Sequence, residues 1–181
     1  MSDALVIIDI QNDYFLGGSM ELVGAEAAAR VAAGLLARFR QAGLPVVHVR
    51  HESTRPGSTF FLPGTPGAEI HPLLAPLPGE SVLTKHFPNS FRDTGLLEIL
   101  REFSATRLTI CGMMTHMCVD TSVRAAFDLG FACRLASDAC ATRDLSFAGR
   151  TVAAADVQTA YLAALGAVFA QVAPASELVL P

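Results

Sequence analysis

The sequence predicts an α/β protein in which a parallel β-sheet is covered by helices on both faces. Short apolar runs alternate with longer alanine- and leucine-rich segments along almost the whole chain, as in a doubly wound sheet. Hydrophobic residues make up 51% of the chain and charged residues only 17%, which favours strands that are buried on both sides. The 181 residues contain no evident linker or repeat, so we expect one domain over residues 1–181.

The first half of the chain contains three predicted strands and two predicted helices. A continuous apolar run predicts a central strand, Gly43 marks the end of the first helix, and Asp93 can cap the second. A segment rich in proline and glycine predicts a long surface loop, and loops of this length are usually functional. The predicted strands span residues 4–10, 44–50 and 81–85, the helices 25–42 and 93–103, and the long loop 51–79.

The second half repeats the alternation of strand and helix. Gly130 and Gly166 are placed to end two further helices, since glycine is favoured just past a helix C-terminus. The predicted strands span residues 107–111, 131–136 and 168–172, and the predicted helices span 119–129 and 147–165. Six strands in total are therefore expected.

Composition and charge exclude several classes of function. The net charge is −4, and no basic stripe suggests binding to nucleic acid. No apolar run reaches the roughly 18 residues that a membrane span needs, and the N-terminal residues lack the basic region of a signal peptide. We therefore expect a cytoplasmic protein with no nucleic-acid partner and no membrane partner.

Cys118 follows a short apolar strand at the predicted start of a helix. The helix dipole and unpaired N–H groups at such a position favour the thiolate, which is the nucleophilic form. Alternatively, a free cysteine can simply be a small buried hydrophobe. The other cysteines, at positions 111, 133 and 140, lie too far apart for a paired zinc motif, and disulfides are not expected in this compartment.

Two charged side chains are predicted to lie at the same sheet edge as Cys118. Asp9 ends the first strand and Lys85 ends the third, and ligands bind open α/β sheets beyond the carboxyl ends of the strands. Taken singly, Asp9 could cap a turn and Lys85 could be a solvated charge. Together with Cys118, these two residues give the site an acid, a cation and a thiol at one edge of the sheet.

This trio can perform covalent hydrolysis. The thiolate of Cys118 attacks an electrophilic carbon, and Asp9 takes the thiol proton, passes it to a leaving amine and then activates water. Lys85 keeps Asp9 ionised and stabilises the thiolate. The backbone N–H groups of Met114 and Cys118 are candidates for an oxyanion hole, whereas spacing alone does not assign His116 to the site.

Four segments of the chain resemble the isochorismatase-like cysteine hydrolases. The opening motif of that family resembles VIIDIQNDYF at residues 6–15, and its lysine segment resembles TK at 84–85 followed by SF at 90–91. Its nucleophile segment resembles GMMTHMCVDTSVRAA at 112–126, and a later family stretch resembles SDACAT at 137–142. The four matches keep their order and together cover nearly the whole chain.

The resemblance implies a three-layer fold with a six-stranded parallel sheet and a catalytic triad of Asp9, Lys85 and Cys118. It also implies a cis peptide bond between Met113 and Met114, which in the family helps to orient the oxyanion N–H groups. True isochorismate hydrolases of the family generally lack the cysteine and cleave a vinyl ether. Cys118 therefore places the chain with the relatives that cleave C–N bonds.

The resemblance also bears on metal binding. Nicotinamidases of this family bind a metal through an aspartate and two histidines after the second strand. Here His51 stands in the position of the aspartate, and serine or threonine stands where the histidines should follow. His48 is the only further candidate ligand nearby, and as a residue within a strand it reads as a core histidine. We therefore predict no metal and no other cofactor, and nicotinamide becomes an unfavourable substrate.

Aromatic and polar side chains near these motifs are candidates for contacts with a small-molecule substrate. The aromatic candidates could instead be ordinary packing residues, and the polar ones could be turn formers or caps. The aromatic candidates are Phe15, Phe60, Phe61 and Phe87, and the polar candidates are Asn12, Asn89 and Thr115.

Two other functions and the assembly state stay open at this point. The same fold could cleave a vinyl ether without using the thiol, or Cys118 could be a redox-sensing thiol in a protein that is not an enzyme. The mean hydropathy of +0.42 predicts apolar surface beyond the core, so we expect a homo-oligomer, a dimer or larger.

Overall fold

A six-stranded parallel sheet forms the centre of the molecule, and its strands are ordered β3-β2-β1-β4-β5-β8. The structure is a computed structural model, and it describes residues 2–179. The sheet strands are β1 (Asp3–Ile8), β2 (Val46–His51), β3 (Ser81–Lys85), β4 (Arg107–Met113), β5 (Ala132–Ala141) and β8 (Gln171–Ala173). A separate hairpin consists of β6 (Leu145–Phe147) and β7 (Arg150–Val152). The predicted parallel sheet of six strands is confirmed.

Helices cover both faces of the sheet. The helices are α1 (Ala25–Gln41), α2 (Leu96–Glu102), α3 (Asp120–Asp128) and α4 (Ala154–Val168). All six residues of β1 are buried, and its side chains alternate between two hydrophobic clusters. Leu5 and Ile7 pack in a cluster with α1, whereas Val6 and Ile8 pack in a cluster with α2, α3 and α4. The fold therefore has the three layers that the resemblance implies.

The strand order brings four strand ends together. β1 lies at the centre of the sheet, where Ile8 pairs with Val49 of β2 and with Gly112 of β4. β3 lies beside β2, and its last residue Lys85 pairs with His51. Because all these strands are parallel, the ends of β3, β2, β1 and β4 form one continuous edge.

The hairpin β6–β7 corrects the predicted helix over residues 147–165. Ala148 and Gly149 both have positive φ, 49° and 76°, as a tight two-residue hairpin turn requires. The hydroxyls of Ser146 and Thr151 are 2.9 Å apart across the two strands. The helix α4 begins only at Ala154, because the turn at Gly149 sends the chain back along itself first.

Other predicted boundaries also differ. The helix α4 continues through Gly166 to Val168, so β8 begins at Gln171 and not at residue 168. β5 continues to Ala141 because its pairing with β4 resumes after an irregularity, with Met113 opposite Ala141. The second helix starts at Leu96 and not at Asp93, which has a φ of 55°. Among residues 2–179, no helix combines the length and the apolar character needed to cross a membrane.

Candidate active site

The end of β1 turns sharply at Asp9. This residue is fully buried and has a left-handed backbone, with a φ of 51°, which is a costly conformation for a residue other than glycine.

Two residues after Asp9, the buried side chain of Gln11 joins separate parts of the structure. Its Nε2 donates to the carbonyls of His51 (2.8 Å) and Ala68 (2.7 Å), and its Oε1 accepts from the His51 N–H at 2.7 Å. The amide therefore fixes the end of β2 relative to the end of β1.

Lys85 is the central group of the site. Its side chain is fully buried, and its Nζ lies 2.6 Å from Asp9 Oδ2 and 3.2 Å from Cys118 Sγ. The same Nζ is 3.1 Å from His51 Nδ1. The structure thus brings together Asp9, Lys85 and Cys118, as the sequence predicts, and it adds His51.

Cys118 lies on a five-residue π-turn, Thr115–Val119, that precedes α3. Before this turn the chain passes Gly112, whose φ is 138° and whose Cα faces the backbone of Ile8 too closely for any side chain. The peptide bond between Met113 and Met114 is cis, as the resemblance implies. The N–H groups of Met114 and Cys118 therefore belong to an irregular segment beside the cavity, and their oxyanion role stays a prediction.

Burial of Cys118 opposes the thiolate form, and the argument from the helix N-terminus did not include this effect. Burial and the neighbouring Asp9 carboxylate raise the pKa of the Cys118 thiol, and Lys85 offsets only part of that rise. Burial also raises the pKa of Asp9 against the opposing effect of Lys85. Burial lowers the pKa of Lys85, but Asp9 and Cys118 outweigh it and the pKa is raised. Lys85 therefore keeps its proton and supplies the positive charge of the site.

A single buried cation can balance a single anion. In the resting site that anion is Asp9, which forms the ion pair with Lys85, while Cys118 keeps its proton. Transfer of the proton from Cys118 to Asp9 moves the negative charge to sulfur and leaves the total charge of the site unchanged. The thiolate is then stabilised by the same ammonium group.

His51 is neutral in this site. Burial, followed by the charges of Lys85 and His86, lowers the pKa of His51 to about 3. Because its Nδ1 accepts a hydrogen bond from the Lys85 ammonium, we assign the ring proton to Nε2. From the sequence, His51 was a candidate only as a metal ligand. Its position at the end of β2, beside β1, was the signal that could have placed it in the site.

The donor set does not fit a metal ion. One atom each of Asp9, His51 and Cys118 lies within 4.8 Å of the others, which is compatible with a shared ligand. However, the Lys85 ammonium contacts all three side chains at 2.6–3.2 Å and already supplies the positive charge. A divalent cation at the same point would be repelled by this ammonium.

A cavity of about 610 Å³ opens above Cys118. Phe60 and Phe61 line it, as predicted for substrate contacts. Phe61 is held there by Asp13, whose Oδ2 accepts its N–H at 2.6 Å, and it packs against Tyr14 with ring centroids 4.6 Å apart. The lining includes Tyr14, Met20, His51, Ser53, Arg55, Phe60, Phe61, His86, Met114, Met117, Cys118 and Arg143.

The polar substrate candidates do not line this cavity, and the structure gives each another partner. Asn12 Nδ2 donates to the carbonyl of Pro66 at 2.8 Å. Asn89 Oδ1 accepts the N–H of Phe91 at 2.9 Å, which is a local turn. Thr115 Oγ1 donates to the carbonyl of Ala141 at 3.1 Å and is fully buried. In this structure the three side chains therefore make the turn and packing contacts of the alternative role, and their contact with substrate stays a prediction.

Two aromatic candidates also lie outside the lining. Phe15 is buried against His71, with stacked rings whose centroids are 3.8 Å apart. Phe87 packs under the guanidinium of Arg92, whose Cζ is 3.6 Å from the ring centroid. Of the four aromatic candidates, Phe60 and Phe61 therefore belong to the cavity, and Phe15 and Phe87 do not.

Several residues that line the cavity were not among the candidates from the sequence. Tyr14 lies in the same motif as Asp9, so its position was available from the sequence. Arg143 follows the end of β5, and the rule that ligands bind beyond strand ends would have included it. Arg55 and Met117 lie in irregular segments, and no periodicity predicts which way such side chains point.

Residues 3–175 match the Isochorismatase domain family. The chain belongs to the isochorismatase family. It is 47% identical over 172 residues to the uncharacterised isochorismatase family protein YddQ of Bacillus subtilis, and this match covers 95% of the chain and 96% of that protein. The membership predicted from four sequence segments is thereby confirmed.

Solved structures of the isochorismatase family have the same fold. An isochorismatase hydrolase from Oleispira antarctica superposes with a TM-score of 0.94 and is 55% identical, over 97% of this chain and 95% of that one. A more distant isochorismatase relative, the nicotinamidase/pyrazinamidase of Mycobacterium tuberculosis, is 30% identical and covers 75% of this chain and 84% of its own. The chain is an isochorismatase-family hydrolase with an amidase among its relatives.

Proposed function

We propose that the chain is a metal-independent cysteine hydrolase that cleaves the C–N bond of a small amide, urea or carbamoyl compound. The single observation that carries this proposal is the Lys85 ammonium, which contacts Asp9 and Cys118 at once. The arrangement supplies a nucleophile, a base and a fixed cation without a metal. The amidase among the relatives supports cleavage of a C–N bond.

Acylation begins when a substrate carbonyl reaches Cys118. The thiol proton passes to Asp9, the sulfur attacks the carbonyl carbon, and the carbonyl electrons move to oxygen. We assign the resulting oxyanion to the N–H groups of Met114 and Cys118, which border the cavity. Asp9 then donates its proton to the leaving nitrogen, the C–N bond breaks, and the acyl group remains on sulfur as a thioester.

Deacylation uses the same groups, with water as the nucleophile and the sulfur of Cys118 as the leaving group. Asp9 is again a carboxylate and takes a proton from a water molecule, whose oxygen attacks the thioester carbon. The C–S bond breaks, and the proton held by Asp9 returns to sulfur. One amide and one water thus give one carboxylic acid and one amine, and the enzyme recovers its thiol. Lys85 keeps its proton throughout and faces whichever of the two groups is negative.

Release of ammonia from a panel of primary amides, ureas and carbamoyl compounds tests this proposal. Cys118→Ala and Asp9→Asn should each lower turnover at least about 10³-fold, since the first removes the nucleophile and the second removes the group that carries the proton. Cys133→Ala is the matched control, because Cys133 is also a buried free thiol but lies outside the cavity. Its turnover should stay close to that of the wild type.

The thioester gives a second readout. Denaturing the enzyme with acid during turnover should leave the acyl mass on the peptide that contains Cys118. If Cys118→Ala still hydrolyses the amides, the proposed role of the thiol is wrong. If it instead retains most of an activity toward a vinyl ether, the chain belongs with the enzymes that do not use a cysteine. A peroxide-dependent disulfide at Cys118 with no hydrolysis would favour the redox-sensing alternative.

A further inference from the structure

We propose that the active-site cavity selects substrates that carry a carboxylate, which Arg143 and Arg55 bind while the scissile bond lies at Cys118. For the reaction this inference rests on the proposed function, but the binding preference can be tested without turnover. Arg55 and Arg143 are both exposed, and both line the same cavity as Cys118. Guanidinium groups suit carboxylates because they offer paired N–H donors in a plane.

The charge of the cavity is opposite to that of the whole chain. The chain carries 17 acidic and 13 basic residues, excluding histidine, and its net charge is −4. Among the described residues, none that lines the cavity is aspartate or glutamate, whereas two are arginine. Asp9 lies beneath the cavity and is neutralised by its ion pair with Lys85. A substrate in the cavity therefore faces net positive charge.

The two arginines have free donors. Within residues 2–179, the side chains of Arg55 and Arg143 form no ion pair and no hydrogen bond with the protein. Other arginines are engaged in such contacts, as Arg40 is with Glu80 and Arg124 is with Asp120. A guanidinium that lines a cavity and keeps its donors unused is available for an anionic ligand.

Arg143 is carried by a well-fixed piece of backbone. The carbonyl of Thr142 accepts the N–H of Val23 at 3.0 Å, and the Thr142 hydroxyl lies 2.6 Å from His116 Nδ1. On the other side, Asp144 Oδ1 accepts the N–H of Ala154 at 2.8 Å. With both neighbours held, the base of the Arg143 side chain stays beside the cavity, and binding costs mainly the ordering of the side chain itself.

Arg55 lies in the loop after β2, far from Arg143 in the sequence. Its carbonyl accepts both the N–H (3.1 Å) and the hydroxyl (2.8 Å) of Ser58, which closes a turn. The loop is tied back where the N–H of Ser53 donates to the carbonyl of Phe61 at 2.8 Å. The lining also contains the apolar side chains of Phe60 and Met117, so we expect a short hydrocarbon part in the substrate.

Paired alkylating reagents test the charge preference directly. Iodoacetate and iodoacetamide place the same reactive carbon on sulfur, but only iodoacetate is anionic. The ratio of their rates at Cys118, divided by the ratio for free 2-mercaptoethanol, cancels the thiolate fraction and the intrinsic reactivity. We expect this normalised ratio to exceed one in the wild type, and to fall at least about threefold in Arg143→Gln. Peptide mass spectrometry assigns the label to Cys118.

Arg55→Gln is the second variant, and Arg150→Gln is the matched control. Arg150 is exposed on the β6–β7 hairpin and does not line the cavity, so its variant changes the net charge equally. We expect Arg55→Gln to lower the ratio and Arg150→Gln to leave it unchanged. A wild-type ratio of one or less, or an equal fall in all three variants, would overturn the proposal. Circular dichroism verifies that each variant is folded.

Turnover separates this inference from the proposed function. Succinamate and methyl succinamate share the same amide and differ in the free carboxylate. We expect the acid to have the lower KM and Arg143→Gln to raise KM for the acid alone. If both compounds are hydrolysed with equal KM, the carboxylate preference is wrong and the hydrolase stands. If an amide panel yields no ammonia while the alkylation preference is present, the hydrolase proposal fails and the anion site stands.

Discussion

One buried ammonium group shared by two acidic groups is the central feature at the scale of single residues. Lys85 contacts both Asp9 and Cys118, and burial disfavours any second negative charge. The acid and the nucleophile therefore exchange one proton rather than ionise independently. Their titration belongs to the pair, and a pH profile of activity would report the pair.

Removing the Lys85 charge should destabilise the fold through Asp9. In Lys85→Met the Asp9 carboxyl is left fully buried without its counter-charge, and we expect a loss of about 3 kcal/mol in the free energy of unfolding. The double variant Asp9→Asn with Lys85→Met should lose less than the sum of the two single variants. Urea unfolding of the four proteins measures this. Strict additivity would contradict the ion pair described here.

His51 should make the protein less stable in acid. An unfolded chain protonates this histidine near pH 6.5, whereas the folded protein does so only near pH 3. Between these values the unfolded state binds more protons, so stability falls as the pH drops from 6.5 toward 3. His51→Gln keeps an acceptor for Lys85 but cannot titrate.

The test for His51 compares the free energy of unfolding at pH 7 and pH 4. The difference between the two values should be smaller in His51→Gln than in the wild type. At pH 8 both proteins contain an uncharged side chain at this position, so that measurement isolates the effect of the substitution itself. An identical loss in acid for the two proteins would show that His51 is not the titrating group.

At the scale of elements, the close approach of β1 and β4 is the feature that positions the nucleophile. Gly112 needs a φ of 138°, and a side chain there would fall on the Ile8 carbonyl oxygen. We expect Gly112→Ala to cost more than about 3 kcal/mol of stability or to prevent folding. Gly34→Ala is the matched control, since its Cβ would meet open space on helix α1.

The control glycine should behave in the opposite way. Alanine is favoured over glycine in a helix interior, so Gly34→Ala should gain about 0.5–1 kcal/mol. Thermal unfolding of both variants measures the two effects. A loss below about 1 kcal/mol in Gly112→Ala would mean that β4 can move away from β1, and the argument from close approach would be wrong.

Local chemistry decides which elements the sequence could predict. The strand over residues 81–85 is correct to the residue, and α1 is correct to one residue, because their apolar patterns are bounded by clear turn signals. The hairpin turn at Ala148–Gly149 was not predicted, because the hydrophobic pattern does not identify it. The two positive φ values that define the turn are visible only in the structure. β5 was cut short because its continuation depends on pairing with β4.

At the scale of the whole molecule, the site residues also divide into those that the sequence pattern predicts and those that only the folded structure reveals. Asp9, Lys85 and Cys118 were predictable because strand ends meet at one edge in a parallel sheet. Phe60 and Arg55 lie on an irregular loop, so which of the loop side chains face the cavity depends on tertiary contacts such as the bond from Phe61 N–H to Asp13. The direction of the pKa shift of Cys118 could be inferred only from the folded structure, because burial is its main cause.

The assembly state is a prediction that belongs to this scale. Several large apolar side chains are strongly exposed, and Leu16 (96%) and Phe147 (88%) are the most exposed of them. Such surface is typical of contacts between subunits. We expect light scattering to give at least twice the monomer mass of 19.1 kDa. A single species at the monomer mass across a wide range of concentrations would contradict this.

The Gln11 amide described above has a consequence for how this enzyme can diversify. It holds the loop after β2 at its start, through His51, and again at Ala68, so the segment between them is fastened at two points to the chain that follows β1. Residues 52–67 form a cassette between these two fastenings. Exchanging the cassette while keeping Gln11 would change the cavity wall, including Arg55 and Phe60, without moving the reacting groups. New selectivity can therefore be built on unchanged chemistry.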